Sequence, residues 1–247
     1  MEGAVLEELV PLPLEGRTFR GSRRIRLSDR DVQGRLRLDA VARYLQDLAG
    51  DDVDETGWGA PDHLWVLRSV RVDVVAPPIE DRDVELVTWC SGTAAVAAGR
   101  RMSLTGDRGG RIEVDSVWIH LGPDAKPARI EGFGVYAEAT GGRVVSTRLE
   151  LPDPPTGGER IRWPLRMSDI DLLGHVNNAA YWKAVEQCLL QAGLDLSRPA
   201  RAVLDYRQAI DLDDHVELVT FSDGRGFAIA FETADVVKAV AQVEEIA

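Results

Sequence analysis

Apolar residues along this chain keep two rhythms, and the rhythms occur in the same order twice. From Leu38 to Ala49, the residues Val41, Tyr44, Leu45 and Leu48 recur at i, i+3, i+4 and i+7, which puts them on one face of a helix. A second run through Tyr181, Val185, Leu189 and Leu190 predicts another helix, with Asn177 or Asn178 as its N-cap and Gly193 just past its end. Each half is expected to open with a short strand leading into a turn, and after each helix the period drops to two. Residues 65–75, 84–89 and 112–121 alternate in this way after the first, and 202–206, 216–221, 227–232 and 236–244 after the second. Alternation of this kind belongs to half-buried strands. No helical pattern separates those strands, so antiparallel pairing is favoured over parallel. The pattern predicts an α+β fold in which an antiparallel sheet wraps a central helix, twice over.

The residues repeat as well as the rhythm. Arg26–Gly34 and Arg166–Gly174 share the pattern R-x-S-D-x-D-x-x-G, and Asp83–Trp89 (DVELVTW) returns as His215–Phe221 (HVELVTF). Two matches in one order predict a duplicated unit. Between the copies lies LPDPPTGG, residues 151–158, where prolines fix the backbone and glycines loosen it, as in a linker. The expected division is a first half over 18–148, a linker over 149–159 and a second half over 160–247.

Charge and composition narrow the classes. The 247 residues carry a formal charge of −12, which argues against a nucleic-acid face despite an early cluster of Arg17, Arg20, Arg23, Arg24 and Arg26. Two cysteines, Cys90 and Cys188, suggest neither a disulfide framework nor a zinc site. The start has no signal-peptide pattern and no stretch approaches a membrane span, so the chain reads as cytoplasmic. With no phosphate-cradling glycine loop and no metal-spaced cluster, no cofactor and no metal are expected.

The two copies of the motif differ where chemistry would sit. Residues 169–181 read D-I-D-L-L-G-H-V-N-N-A-A-Y, whereas the first copy places Arg35, Arg37 and Leu38 opposite His175, Asn177 and Asn178. Only the second copy keeps a carboxylate, an imidazole and amides together, since an arginine stays charged and exchanges no proton. The segment is similar to the hot dog thioesterase signature D-x-D-x-x-G-H-V-N-N-x-x-Y. Together with Leu64–Leu67, Val87–Gly92 and Ser116–Trp118, the chain resembles the plant and bacterial acyl-ACP thioesterases over nearly its whole length.

That resemblance implies two tandem hot dog domains. The first holds the acyl chain and the second carries the chemistry, with an acyl carrier protein bearing a fatty acyl chain as substrate and partner. Paired hot dogs in one chain imply a monomer with pseudo-dimeric halves, or else a homodimer. Hydrolysing a thioester needs an activated water or nucleophile and donors for the developing oxyanion. Asp171 is the candidate base or nucleophile, and His175 the group that orients it or polarises the carbonyl. Gly174 permits close backbone approach, and Asn177 is a donor or a helix cap. Asp169, present in both copies, reads as structural. Val41, Tyr44, Leu45, Leu48 and Trp65 are the expected walls of an acyl channel, and arginines including Arg100 and Arg101 are candidate contacts for an acidic carrier.

Two departures stand out. The plant enzymes carry Asn where this chain has Leu173, and a Glu-Cys pair where it has Ala209-Ile210. Glu186 or Gln208 is a candidate substitute. The rival readings are an acyl-CoA thioesterase of the same fold and a non-catalytic acyl-binding protein.

Overall fold

A computed structural model describes residues 9–57, 64–154, 157–194, 196–222, 226–234 and 236–246. Linker residues 155 and 156 and the terminal Ala247 lie outside the described residues.

The first set of elements is β1 (Thr18–Arg24), α1 (Leu38–Thr56), β2 (Leu64–Ala76), β3 (Asp83–Thr93), β4 (Ala97–Gly106), β5 (Arg111–Leu121) and the short α2 (Gly134–Thr140). The second is β6 (Glu159–Trp163), α3 (Asn178–Gln191), β7 (Ala200–Tyr206), β8 (Val216–Ser222), β9 (Phe227–Thr233) and β10 (Val236–Glu245). All ten strands join one antiparallel sheet in the order β1-β3-β4-β5-β2-β7-β10-β9-β8-β6. The order is its own mirror. Each half runs from an edge strand inward, and the halves meet where β2 pairs with β7, from Ser69 opposite Asp205 to Val74 opposite Ala200. The repeated VELVT segments are β3 and β8, each beside an edge strand. This is the tandem hot dog arrangement, α+β with one long helix per half.

The two long helices pack against each other, and one continuous core joins them to the strands of both halves. Leu38, Val41, Leu45 and Leu48 of α1 and Val185 and Leu189 of α3 supply its centre. A smaller cluster holds Cys90, Ala98 and Tyr136, with Trp65, Ile130 and Phe133 against it, beneath α2.

The strand expectations fit to within a few residues, but β4 and α2 were not anticipated. β4 carries Arg100 and Arg101, whose charge disguises a buried strand. Arg100 reaches Asp52 at 2.7 Å, and Arg101 reaches Glu113 at 3.0 Å while lying over the Trp89 ring. Both are thus committed inside the fold and are poor candidates for carrier docking. No helix among the described residues is long and apolar enough to cross a membrane.

Candidate active site

The loop leading into α3 uses its two aspartates differently. Asp169 is buried. Its Oδ2 accepts from the Arg166 N–H at 3.1 Å, its Oδ1 from Lys183 Nζ at 3.2 Å, and its carbonyl from the Asn177 N–H at 2.7 Å. The equivalent Asp29 does the same work, accepting from the Arg26 N–H at 2.9 Å, Arg43 at 2.9 Å and the Tyr44 hydroxyl at 2.8 Å. These carboxylates hold the turn.

Asp171 is half-buried and only partly committed. Its Oδ1 accepts from the Leu173 N–H at 2.8 Å, an Asx turn. Its own N–H donates to the His175 carbonyl at 2.8 Å, and Gly174 closes the loop at φ +82°, in the left-handed region that glycine enters freely. The second oxygen, Oδ2, has no partner among the described residues. His175 has a side chain 46% exposed, with Nε2 3.6 Å from Asp211 Oδ1. Asp171 and His175 therefore spring from one five-residue loop but do not converge. The Asx turn holds the Asp171 side chain, and the His175 ring lies partly exposed near Asp211 without a hydrogen bond to it. Asn177 is the N-cap of α3, its Oδ1 accepting from the Ala179 N–H at 2.9 Å. Asn178 takes the first helical position, and its carbonyl accepts from the Tyr206 hydroxyl at 3.0 Å.

Beside this helix end, between α1 and the sheet, lies a slit walled by Val41, Leu45, Gln46, Asn178, Trp182 and Tyr206 among others. Its volume is about 10 Å³, room for one water at most. Of the expected channel walls, Val41 and Leu45 line it. Tyr44 does not, because the buried Asp29 captures its hydroxyl. Leu48 lies instead over Gly21 of β1, where a Cβ would come within 2.9 Å of its Cδ1. Trp65 is in the satellite cluster, with ring centroids 5.2 Å from His120 and 6.2 Å from Phe133. Asp171 and His175 are not wall residues of the slit.

The first copy of the loop is sealed. Arg35, buried, reaches Asp31 Oδ2 at 3.0 Å and Glu186 Oε1 at 2.8 Å, and the same Glu186 oxygen accepts from the Leu38 N–H at 3.0 Å. Burial pushes the Glu186 carboxyl up, and Arg35 pulls against it. Glu186 thus serves the start of α1 and not the α3 loop, which corrects its reading as a second carboxylate there. Gln208 is exposed and accepts from Lys238 at 3.2 Å. Burial pushes the thiols of Cys90 and Cys188 up to about 11, so neither is an ionised nucleophile near neutral pH. Ile210 is fully buried under the loop, its carbonyl accepting from the Val176 N–H at 2.9 Å. Trp182 takes the core or pocket-wall place its sequence context suggests, whereas Gln46 and Tyr206 were not anticipated as walls. Among the described residues no cluster of His, Cys, Asp or Glu is suited to a metal ion.

Comparison with known sequences and structures gives a consistent picture. Residues 16–131 match the acyl-ACP thioesterase N-terminal domain, and residues 154–244 match the acyl-ACP thioesterase C-terminal domain. An uncharacterized protein of Mycobacterium tuberculosis is 32% identical over 205 residues, 82% of each chain. The chloroplastic oleoyl-acyl carrier protein thioesterase 2 of Arabidopsis thaliana is 24% identical over 75% of this chain and 58% of its own. Among solved structures, the 12:0-ACP thioesterase from Umbellularia californica superposes with a TM-score of 0.75 at 20% identity, covering 94% of this chain and 98% of that one. An acyl-ACP thioesterase from Bacteroides thetaiotaomicron gives 0.73 at 17% identity, covering 92% and 97%. At these identities the solved structures speak to the fold.

Proposed function

The chain belongs to the acyl-ACP thioesterase family and is a thioester hydrolase, and from that premise we propose that it frees a fatty acid from acyl carrier protein, with the loop 171–175 as its catalytic element. The observation that carries this reading is the inequality of the two loops. The first is locked by Arg35 and Glu186, while the second, which leads directly into α3, keeps an uncommitted carboxylate oxygen and a half-exposed imidazole.

The Oδ2 of Asp171 holds a water and takes its proton as the water attacks the carbonyl carbon. In the alternative route the same oxygen attacks directly, and water then opens the mixed anhydride. The carbonyl oxygen gains charge and lies against the first-turn amides of α3, at the positive end of a 14-residue helix. The Asn178 N–H has no acceptor among the described residues. The C–S bond breaks and the carrier's thiolate leaves, and the proton that Asp171 took from the water passes through His175 to that sulfur, which restores both groups. At 3.6 Å the contact with Asp211 is too long for a hydrogen bond, so the ring turns inward at little cost. The acyl chain enters by parting Val41 and Leu45 from Trp182 and Tyr206. The first half is the acyl-holding domain and the second the catalytic one.

Turnover of oleoyl-ACP and 12:0-ACP, beside the same acyl groups on CoA, tests the reading. Asp171→Asn and His175→Ala are each expected to lower kcat by about 10²-fold or more. Wild-type rates in both variants would remove the assignment. A higher kcat/KM on the CoA esters would overturn the choice of carrier.

A further inference from the structure

Within the slit beside α3 most walls are apolar, and Gln46 brings a side-chain amide with no partner among the described residues. The residue is half-buried, so its amide is free to meet a ligand that enters among those apolar walls. The duplication indicates what this amide faces. Residues 140 positions apart occupy equivalent places, as do Asp31 and Asp171, Gly34 and Gly174, Leu38 and Asn178. On that register Gln46 is the equivalent of Glu186. Glu186 reaches out of its own half to the start of the opposite long helix, where its Oε1 meets the Leu38 N–H at 3.0 Å. The mirrored strand order makes the two crossings equivalent, so Gln46 of α1 reaches toward the start of α3. Both Gln46 and Asn178 do line the same slit.

The two crossings differ in one atom's chemistry. At α1 a carboxylate accepts from the helix-end amide and from Arg35, and so fills the place an oxyanion would take. At α3 a neutral amide stands in the same position, and an amide can donate. We infer that Gln46 is a catalytic residue for the thioester hydrolysis proposed above, on which this inference rests. Its side-chain N–H donates to the thioester carbonyl oxygen together with the Asn178 N–H, and this bond tightens as the oxygen gains charge. The first half therefore contributes a reacting-centre donor to the second, beyond holding the chain.

The test measures kcat and KM on oleoyl-ACP for wild type, Gln46→Leu and Gln46→Glu, with thermal melts of each. Gln46→Leu keeps the volume and removes the donor. It is expected to lower kcat about 10²-fold and to leave KM within about threefold, the mark of an interaction made in the transition state. Gln46→Glu places an acceptor there, so its rate at pH 8 falls at least as far. Relative to wild type, that rate recovers as the pH is lowered and the carboxyl regains a proton to donate. Should Gln46→Leu fail to fold, the near-isosteric Gln46→Glu decides by its pH profile. Wild-type kcat in either variant at pH 8, or a loss confined to KM, would overturn the inference and leave the hydrolase reading standing. A wild-type protein that turns over neither oleoyl-ACP nor 12:0-ACP would remove both.

Discussion

Asp73 stands where the halves of the sheet meet, 2% exposed, with Arg71 at 2.8 Å from its own strand and Arg201 at 2.8 Å from β7. Burial alone raises this carboxyl, but the two guanidiniums more than offset it and hold it below the ordinary carboxylate range. Asp73→Asn leaves buried cations without their counter-charge, an expected loss of about 3–5 kcal/mol. Because the folded state depresses the carboxyl, its stabilisation is whole above about pH 4 and disappears as the pH falls through the depressed value. Melting curves of parent and variant are expected to lie far apart at pH 7 and to close up below about pH 4. A constant gap across that range would refute the ion-pair account. At this same scale the sequence was informative about identity and less so about partnership. The D-x-D-x-x-G-H spacing singled out Asp171 and His175. It could not tell that Leu173's amide would occupy one oxygen of Asp171, nor that Tyr44, on the right helical face, would be drawn to Asp29. Partners such as Glu186 and Leu38 lie 148 residues apart, and local periodicity carries no information at that range.

At the level of elements, the duplicated loop offers a matched pair of substitutions. Gly34 and Gly174 close equivalent loops at φ +85° and +82°. A Cβ on Gly174 would meet nothing within 4 Å, and one on Gly34 would come only within 3.6 Å of the Ile79 carbonyl, so strain in each comes from the backbone angle. Replacing either glycine by alanine is expected to cost about 1–2 kcal/mol. Only Gly174→Ala should also lower kcat/KM, since only that loop bears Asp171 and His175. Melting temperatures and oleoyl-ACP kinetics for the two variants check this, and equal kinetic losses would argue against assigning catalysis to one loop. Elements with clean periods were legible: α1, α3 and seven strands. β4 was not, because its arginines read as surface until Asp52 and Glu113 are known to be waiting for them. α2 was not, because seven residues are too few to set up a helical rhythm.

For the molecule as a whole, the register between β2 and β7 and the packing of α1 on α3 bind the halves into one sheet and one core. A fragment comprising residues 159–246 would expose the edge of β7, the α1-facing side of α3 and the buried Glu186. It is expected to self-associate or precipitate, since an uncovered apolar edge strand invites pairing. Size-exclusion chromatography of the fragment checks this, and a stable soluble monomer would show that the second half is self-sufficient. The duplication itself was legible from two short matches, but the fusion of both sheets into ten continuous strands was not, because pairing across the centre depends on residues that the matches do not include.

The slit of about 10 Å³ has a bearing on selectivity. With room for one water at most, this crevice offers an acyl tail no ready-made length to fill. Discrimination among acyl tails then becomes an elastic matter, decided by how far Val41, Leu45, Trp182 and Tyr206 yield for each added methylene before wedging them apart costs more than the new contact returns.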